Sequence, residues 1–412
     1  MVFLKLAFKS LISRRGSVVL TCLAMTVSVF VILGVEHIRN QAKDSFYSTV
    51  SGADLIVGAR TSSTNLLLYS VFRIGSATNN VSWESYLDIT SDNKVRWAIP
   101  ISLGDSHRGY RVMGTTLDYF EHFSYGKKRN LEFADGKPFY DLFDVVLGSQ
   151  VARKLGYEIG DRLTLAHGIG KTSFSLHDDK PFKVSGILAP TGTPVDQTLH
   201  VSLQGIEAIH VDWKPGSQKS ADEVRPLTKE DLSIKSVTAF VLGLKSRMST
   251  FEVQRNINEY SGEPLLAILP GVALSELWEM INILEGVLQL ISYLILFSAL
   301  LGLSAMLLAS IREREQEIRL FRAIGASPSF LFFLIQLEAL IICGFSILFG
   351  SACLLFCLGV SKEILSANFG LYVEANILST DSIVLMSLVV IATFGVASIP
   401  SLGAYKKARS LA

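Results

Sequence analysis

Hydrophobic and polar positions along the chain fall into three patterns. The first is the long apolar run. Ser17 to Val35, Val287 to Ala309 and Ile383 to Ala404 carry no charge, and Phe330 to Val360 carries only Glu338. Each can cross a bilayer core, which takes about 20 helical residues. The second pattern is alternation at period two, broken by turn residues, between the first and second runs. "DVVLGSQVARKLGYEIGDRLTLAHG" predicts strand, short helix, turn and strand. "TSFSLHDDKPFKVSGIL" predicts a hairpin around its Asp-Asp-Lys-Pro turn. "DLSIKSVTAFVLGLKS", "STFEVQRNINEY" and "PLLAIL" predict a βαβ unit whose helix is capped by Ser249 or Thr250. Residues 210–231 are polar and predict a surface loop.

The third pattern is the short amphipathic helix. Residues 2–13 put Phe3, Leu4, Ala7, Phe8, Leu11 and Ile12 on one face and Lys5, Lys9 and Ser13 on another. Such a helix lies among lipid headgroups, its lysines toward anionic lipid. The alternative is a simple extension of the first span, but "SRRGS" (13–17) predicts a break between them, because Gly16 weakens a continuous helix. The other is "IREREQEIRLFRAIGAS", Ile311 to Ser327, with seven charges between Arg312 and Arg322. Ile311, Ile318, Phe321 and Ile324 form its apolar stripe, and Glu315 and Arg319 are spaced as a helical ion pair. Gly325 supplies a helix stop, and Ser327-Pro328 starts the next helix. Few breakers fall between Leu274 and Ala309, so one rod is expected to join the inserted domain to the second span.

The predicted fold is an α-helical membrane protein with four transmembrane helices and a large α+β extracytoplasmic domain inserted between helices 1 and 2. The boundaries are an interfacial helix at 1–15, spans at 17–38, 330–360 and 383–405, and a stalk end with the second span at 281–310. The inserted domain occupies 39–280, with room for two subdomains. A charged helix and turn fill 311–329, a short outer loop 361–382 and a tail 406–412. The first apolar run is too long for a signal-peptide core, and no small-x-small site follows it, so it reads as an uncleaved anchor.

Charge sets the orientation. Lys5, Lys9, Arg14 and Arg15 precede span one, four arginines lie between spans two and three, and Lys406, Lys407 and Arg409 follow span four. The 361–382 loop has only Lys362 against Glu363, Glu374 and Asp381. By the positive-inside rule both termini and the 311–329 segment are cytoplasmic and the inserted domain is outside. Composition agrees: 49% of the 412 residues are hydrophobic and 18% charged, with mean hydropathy +0.39. Cys22, Cys343, Cys353 and Cys357 all fall in apolar spans, where they are expected to pack as small hydrophobes, and the exported segment has no cysteine.

Candidate chemistry is sparse. "GIGKTS" (168–173) lacks the P-loop's first glycine, because position 165 is Leu165, and no other GK[ST] occurs. ATP is therefore not expected to bind this chain through a P-loop. All seven histidines lie between His37 and His210 without metal-ligand spacing. No nucleophile with a base is recognisable, so no catalytic residue, cofactor site or metal site is expected. Glu338 stands inside the third span. It reads either as a coupling or substrate-path residue, or as a protonated or hydrogen-bonded structural glutamate about two turns from the cytoplasmic end.

The charged segment resembles the cytoplasmic coupling motif of the FtsX/MacB/LolC-type permeases, in which "REREIGLLRAIGAS"-like sequences follow the second span. "VVLGSQVARKLGYEIGDRLTL", "FKVSGILAPTGTPVDQTLHVSL" and "SGADLIVGAR" (51–60) resemble that family's outer domain and the stretch after its first span. The resemblance implies a membrane subunit of a type VII, mechanotransmission ABC system in the bacterial inner membrane, with its large domain periplasmic. It implies that Arg312, Glu313, Arg314, Glu315, Glu317, Ile318, Arg319, Phe321, Arg322, Gly325 and Ala326 take the coupling-helix role. A separate cytoplasmic ATPase dimer would bind the ATP and Mg, with a second permease subunit completing a homo- or heterodimer and a periplasmic adaptor or substrate-binding protein possible. Nucleic acid has no place. No fused nucleotide-binding domain of the MacB kind is expected and the inserted domain exceeds the outer domain of FtsX, so the organisation is expected to be nearer LolC/LolE and the MacB membrane half. The expected function is transport or extrusion of an envelope substrate such as a lipoprotein, peptide, lipid or drug. The alternative is an FtsX-like signal transducer that activates a partner such as a cell-wall hydrolase.

Overall fold

The structure, a computed structural model, describes residues 2–47, 49–126, 128–168, 180–211, 213–214, 217–218, 232–313, 316, 319–320, 323, 325–369 and 379–410. In chain order its helices and longer strands are α1 (Val2–Ser13), α2 (Arg15–Tyr47), β1 (Leu55–Ala59), α3 (Ser63–Ser70), α4 (Trp83–Thr90), β2 (Val95–His107), β3 (Tyr110–Thr115), α5 (Asp118–His122), β4 (Phe133–Gly136), β5 (Asp144–Leu147), α6 (Ser149–Leu155), β6 (Phe182–Leu188), β7 (Thr198–Ser202), α7 (Leu203–His210), β8 (Ala239–Leu244), α8 (Thr250–Asn258), β9 (Leu265–Ile268), α9 (Pro270–Glu313), α10 (Pro328–Phe369) and α11 (Thr380–Ser410). Strands of two residues are named by their residues. The chain divides into a helical unit, Met1–Ala42, Ile281–Glu363 and Val373–Ala412, and a mixed unit, Lys43–Met280 with Ile364–Tyr372.

In the helical unit, four helices are long and apolar enough to cross a membrane, over Arg15–Lys43, Pro270–Glu313, Pro328–Val360 and Thr380–Lys406. Small residues set their approach. A Cβ on Gly350 of α10 would lie 2.9 Å from Val29 Cγ1 and 3.1 Å from Thr26 O of α2. Ser346 Oγ also donates to Cys22 O at 3.2 Å. Between α10 and α11, Gln336 Nε2 donates to Ser398 Oγ at 2.7 Å. Met25, Val29 and Leu33 of α2, and Leu296, Leu300, Leu303 and Leu307 of α9, recur at helical spacing and are buried. Leu20, Leu23, Ile283, Leu284, Phe297, Phe356, Ile391 and Ile399 are exposed. That much outward apolar surface is unfavourable in water and suits hydrocarbon.

The break expected within Ser13–Ser17 is present and falls at Arg14, while Gly16 itself lies inside α2. The apolar face expected on 2–13 also splits. Ala7, Ser10 and Leu11 are buried, whereas Leu4, Phe8 and Ile12 are exposed beside Lys5 and Lys9. Of the span cysteines, Cys343 is buried but Cys353 is exposed. The expected start of the next helix holds: Gly325 has φ 94°, and Ser327 Oγ accepts from Phe330 N at 3.2 Å.

The mixed unit is built on one sheet of order β9-β1-β8-β2-β3-β7-β5-β6-β4, to which Arg162–Leu163 and Ala166–His167 add short strands. Neighbours are antiparallel except β3 with β7 and β5 with β6. The 13-residue β2 gives its first half to β8 and its second to β3, with a register shift between Leu103 and Ser106. Alternation buries both faces. Ile56, Ile99, Met113, Val146 and Val241 join α3 and α5 in one core that spans the sheet. On the other face Leu55, Val57, Phe240 and Leu242 pack on α4 and α8, while Val112, Val145, Leu147 and Val201 pack on α6 and α7.

The predicted strand–helix–turn–strand of 144–167 is present as β5, α6 and the two short strands. The predicted βαβ unit is present in split form: β8 and β9 are parallel and joined by α8, and β1 lies between them, antiparallel to both. A strand 180 residues upstream cannot be placed by local pattern. The helix cap is corrected: α8 continues a 3-10 turn, Arg247–Ser249, capped by Ser246, and Ser249 makes no side-chain cap. Of the predicted hairpin, β6 is described and residues 172–179 lie outside the described residues, as do 169–173 of "GIGKTS". Within the predicted 210–231 loop, Trp213–Lys214 pairs with Ser217–Gln218.

Two glycines test this packing. A Cβ on Gly148, ahead of α6, would lie 2.3 Å from Val195 O and 2.5 Å from Asp196 O, backbone atoms that cannot swing away. A Cβ on Gly156, which ends α6, meets nothing within 4 Å but would sit at φ 70°. Gly148→Ala is expected to destabilise the mixed unit by about 1–3 kcal/mol and Gly156→Ala by about 1 kcal/mol. Urea unfolding of the two variants should give midpoints in that order.

Candidate functional site

Polar chemistry in the helical unit gathers at the two ends of α2. At one end, α1 brings Ser10 and Arg14 onto α10. Arg14 Nη2 donates to Glu338 Oε2 at 3.1 Å and to Ser10 Oγ at 3.1 Å. Ser10 Oγ donates to Glu338 Oε1. Glu338 is buried, with 1% of its side chain accessible, and Arg14 keeps 12%. The geometry therefore favours the structural reading of Glu338, as one partner of a buried ion pair joining two helices. Edge-to-face rings extend the seam, Phe3 with Phe330 at 4.9 Å and Phe8 with Phe345 at 6.2 Å. Sequence reasoning singled out Glu338 but took Arg14 only as a topology charge. No local spacing connects them.

At the other end, Arg39 of α2 donates through Nε to Glu285 of α9 at 3.0 Å and through Nη1 to Glu36 at 3.3 Å. Asn40 Nδ2 reaches Glu36 Oε1 at 3.2 Å and Asp381 Oδ2 of α11 at 3.4 Å. This cluster was not foreseen. Its charges fall just beyond an apolar run, where pattern reading stops. Between the two ends, α2 and α9 flank an apolar groove of ≈ 790 Å³, lined by residues such as Leu20, Ala24, Leu294, Ala299 and Met306.

The charged segment begins as α9 ends. Arg312, Glu313, Arg319 and Gly325 are exposed and Ala326 is half-buried. Ile311 packs with Phe330 against Leu331. Arg314, Glu315, Glu317, Ile318, Phe321, Arg322 and Ile324 lie outside the described residues.

The mixed unit holds several buried titratable groups. Asp105, at the irregularity of β2, lies 3.6 Å from His210 Nε2, while His210 Nδ1 faces Ile206 O at 2.7 Å. Burial works against a charged ring, but the Asp105 carboxylate more than offsets it, and the His210 pKa is raised. His200 is fully buried and stacked on Tyr119. Burial, then the charge of Arg73, pushes it down to about 3. Among the described residues one group could offer metal ligands: exposed Asp118 and Glu121 and half-buried His122 have ligand atoms within 4.8 Å of one another. Sequence spacing had not flagged it.

With the architecture in place, comparison with known families is decisive. The MacB-like periplasmic core domain matches residues 18–259, more than half of the chain, and the FtsX-like permease C-terminal domain matches residues 290–408. The chain belongs to the FtsX/MacB-type family of ABC permeases. Among solved structures, the periplasmic region of MacB from Actinobacillus actinomycetemcomitans is similar at 9% identity and TM-score 0.35, covering 56% of this chain and 94% of that one. The extracellular domain of the noncanonical ABC-type transporter YknZ from Gram-positive bacteria is similar at 11% identity and TM-score 0.31, covering 52% and 98%. No curated protein matches the chain. Membership in the family makes this a membrane protein with an extracytoplasmic domain, and it implies a cytoplasmic ATPase partner.

Two measurements check the polar sites. Removing one partner of a buried ion pair strands the other charge, typically at about 3–5 kcal/mol. Glu338→Ala and Arg14→Ala should each lower the thermal midpoint of the purified protein, and the double variant should lose less than the sum. In a proton NMR titration, His210 should titrate above the ordinary 6.5, and His200 should stay neutral until far below it. The signs are opposite. His210 contributes stability below pH 6.5 that is lost as pH rises through its raised pKa. His200 costs stability as pH falls from 6.5 toward 3, because only the unfolded ring takes up a proton.

Proposed function

We propose that this chain is the permease subunit of an ABC transporter in which a separate cytoplasmic ATPase, binding ATP and Mg, drives work outside the membrane. The observation that carries the reading is α9. It is one helix of 44 residues from Pro270, two residues past the last strand of the mixed unit, to Glu313 in the charged segment. At 1.5 Å per residue it is about 66 Å long, roughly twice the hydrocarbon thickness. A displacement at its charged end acts on one continuous hydrogen-bonded rod. On this reading the coupling surface comprises Arg312 to Arg322 with Gly325 and Ala326, and the termini share its side of the membrane by the distribution of lysine and arginine. The inner membrane, a second permease subunit and a periplasmic adaptor belong to the same proposal. The groove between α2 and α9 supports a substrate with apolar chains, such as a lipoprotein or lipid, over a small polar solute.

The test reverses charge where the ATPase would dock. Glu315→Lys combined with Arg319→Glu should abolish co-purification of the ATPase and its stimulation by the permease, while the permease still inserts and purifies. Unchanged docking and ATPase activity would sink the coupling assignment. Mass spectrometry of co-purified material separates the two functional classes, since a transporter should carry an envelope substrate and a signal transducer a hydrolase.

A further inference from the structure

The tip of the β2–β3 hairpin carries a residue that turn chemistry disfavours. His107 pairs with Tyr110, so Arg108 and Gly109 form a two-residue loop. Both have positive φ, 48° and 88°, the pattern of a type I′ turn, which Asn-Gly enters most easily. A long side chain in the left-handed region is strained. Strain of this kind is kept where the side chain has a task.

The Arg108 side chain lines a cleft of ≈ 320 Å³ together with Arg162, His107, Tyr157 and Thr164. His107 Nδ1 lies 2.6 Å from Thr164 O, which can only accept, so that nitrogen carries the proton. Nε2, 3.0 Å from Tyr157 Oη, must then accept, and the tyrosine hydroxyl donates to it. Burial, against the Thr164 contact and with help from the Arg108 charge, lowers the pKa of this histidine and keeps the ring neutral. The Arg108 guanidinium lies 6.0 Å from the Tyr157 ring centroid. Among the described residues neither Arg108 nor Arg162 has an ion-pair partner, and no carboxylate lines the cleft. Arg108 and Arg162, both exposed, thus line one small cleft in which, among the described residues, no carboxylate offsets their like charges.

We propose that this cleft is a binding site for a small anionic ligand, held through a phosphate group by Arg108 and Arg162. The planar guanidinium fork matches phosphate oxygens. The volume exceeds that of a bare phosphate and lies at the lower end for small-molecule pockets, so the ligand carries more than the phosphate itself.

The experiment uses the full chain in detergent and reads its thermal midpoint against sodium phosphate, water-soluble short-chain phosphatidic acid, succinate and sodium chloride at matched ionic strength. The phosphate-bearing probes should raise the midpoint; succinate and chloride should not. Arg108→Asn and Arg162→Gln should each weaken the apparent affinity at least tenfold. Arg108→Asn should leave the ligand-free midpoint unchanged or higher, because asparagine suits the turn, so loss of binding is not loss of fold. Tighter binding of phosphatidic acid identifies a lipid headgroup as the source, and tighter binding of inorganic phosphate a soluble compound. An equal shift with succinate or chloride, no shift at all, or binding by Arg108→Asn as strong as by the unaltered chain would overturn the assignment.

Discussion

A charge left alone in hydrocarbon is costly, and the helical unit is organised around that cost. Glu338 stands inside an apolar helix, and it is buried against Arg14 and Ser10 rather than turned outward. Other features follow from that contact. With Ser10 and Arg14 facing α10, helical spacing brings Ala7 and Leu11 to the same side. Leu4 and Ile12 are then left outward with Lys5 and Lys9, and Phe8 lies at the edge of the seam, a face suited to the boundary between lipid tails and headgroups. The second cluster, around Glu36 and Arg39, lies 22 residues beyond Arg14 along the chain. That is about 33 Å of helix, close to the thickness of a bilayer core. The two polar clusters therefore bracket α2 at the spacing a membrane imposes.

The mixed unit solves a different problem. Its sheet is covered on both faces, so each strand needs apolar residues on both sides, and β1, β5 and β8 read as nearly continuous apolar runs. Polar groups enter where the pairing is irregular. The register shift in β2 leaves Asp105 buried and facing His210. β2 also explains how an inserted segment of this size holds together. One long strand serves both halves of the sheet, each half keeps its own core on one face, and the opposite face shares a single core.

How much of this could be read from the residues depended on distance along the chain. The apolar spans, the strand–helix–turn pattern of 144–167 and the start of α10 at Ser327-Pro328 are local signals, and they were legible. The pairing of Ser10 with Glu338 links residues 328 apart, and the insertion of β1 between β8 and β9 joins segments about as remote as the domain allows. No period or motif encodes either. Arg14 was visible, but the positive-inside rule gave a sufficient reason for its presence and hid a second one. Arg108 was hidden differently. It reads as an ordinary loop arginine until the hairpin register shows it at a turn position that favours asparagine.

Glycine acts differently inside an apolar span and beyond one. Gly286 and Gly302 lie within α9 without ending it. In hydrocarbon no water competes for the backbone, so a helix keeps its hydrogen bonds through a glycine that would weaken it in solution. Gly325 behaves differently. Its φ of 94° is closed to a continuing right-handed helix, and Ser327 and Pro328 then start α10 with a new cap. The same residue type is thus silent in the apolar stretch and acts as a stop beyond it. Gly325 and the Ser327 cap thus set where α10 begins.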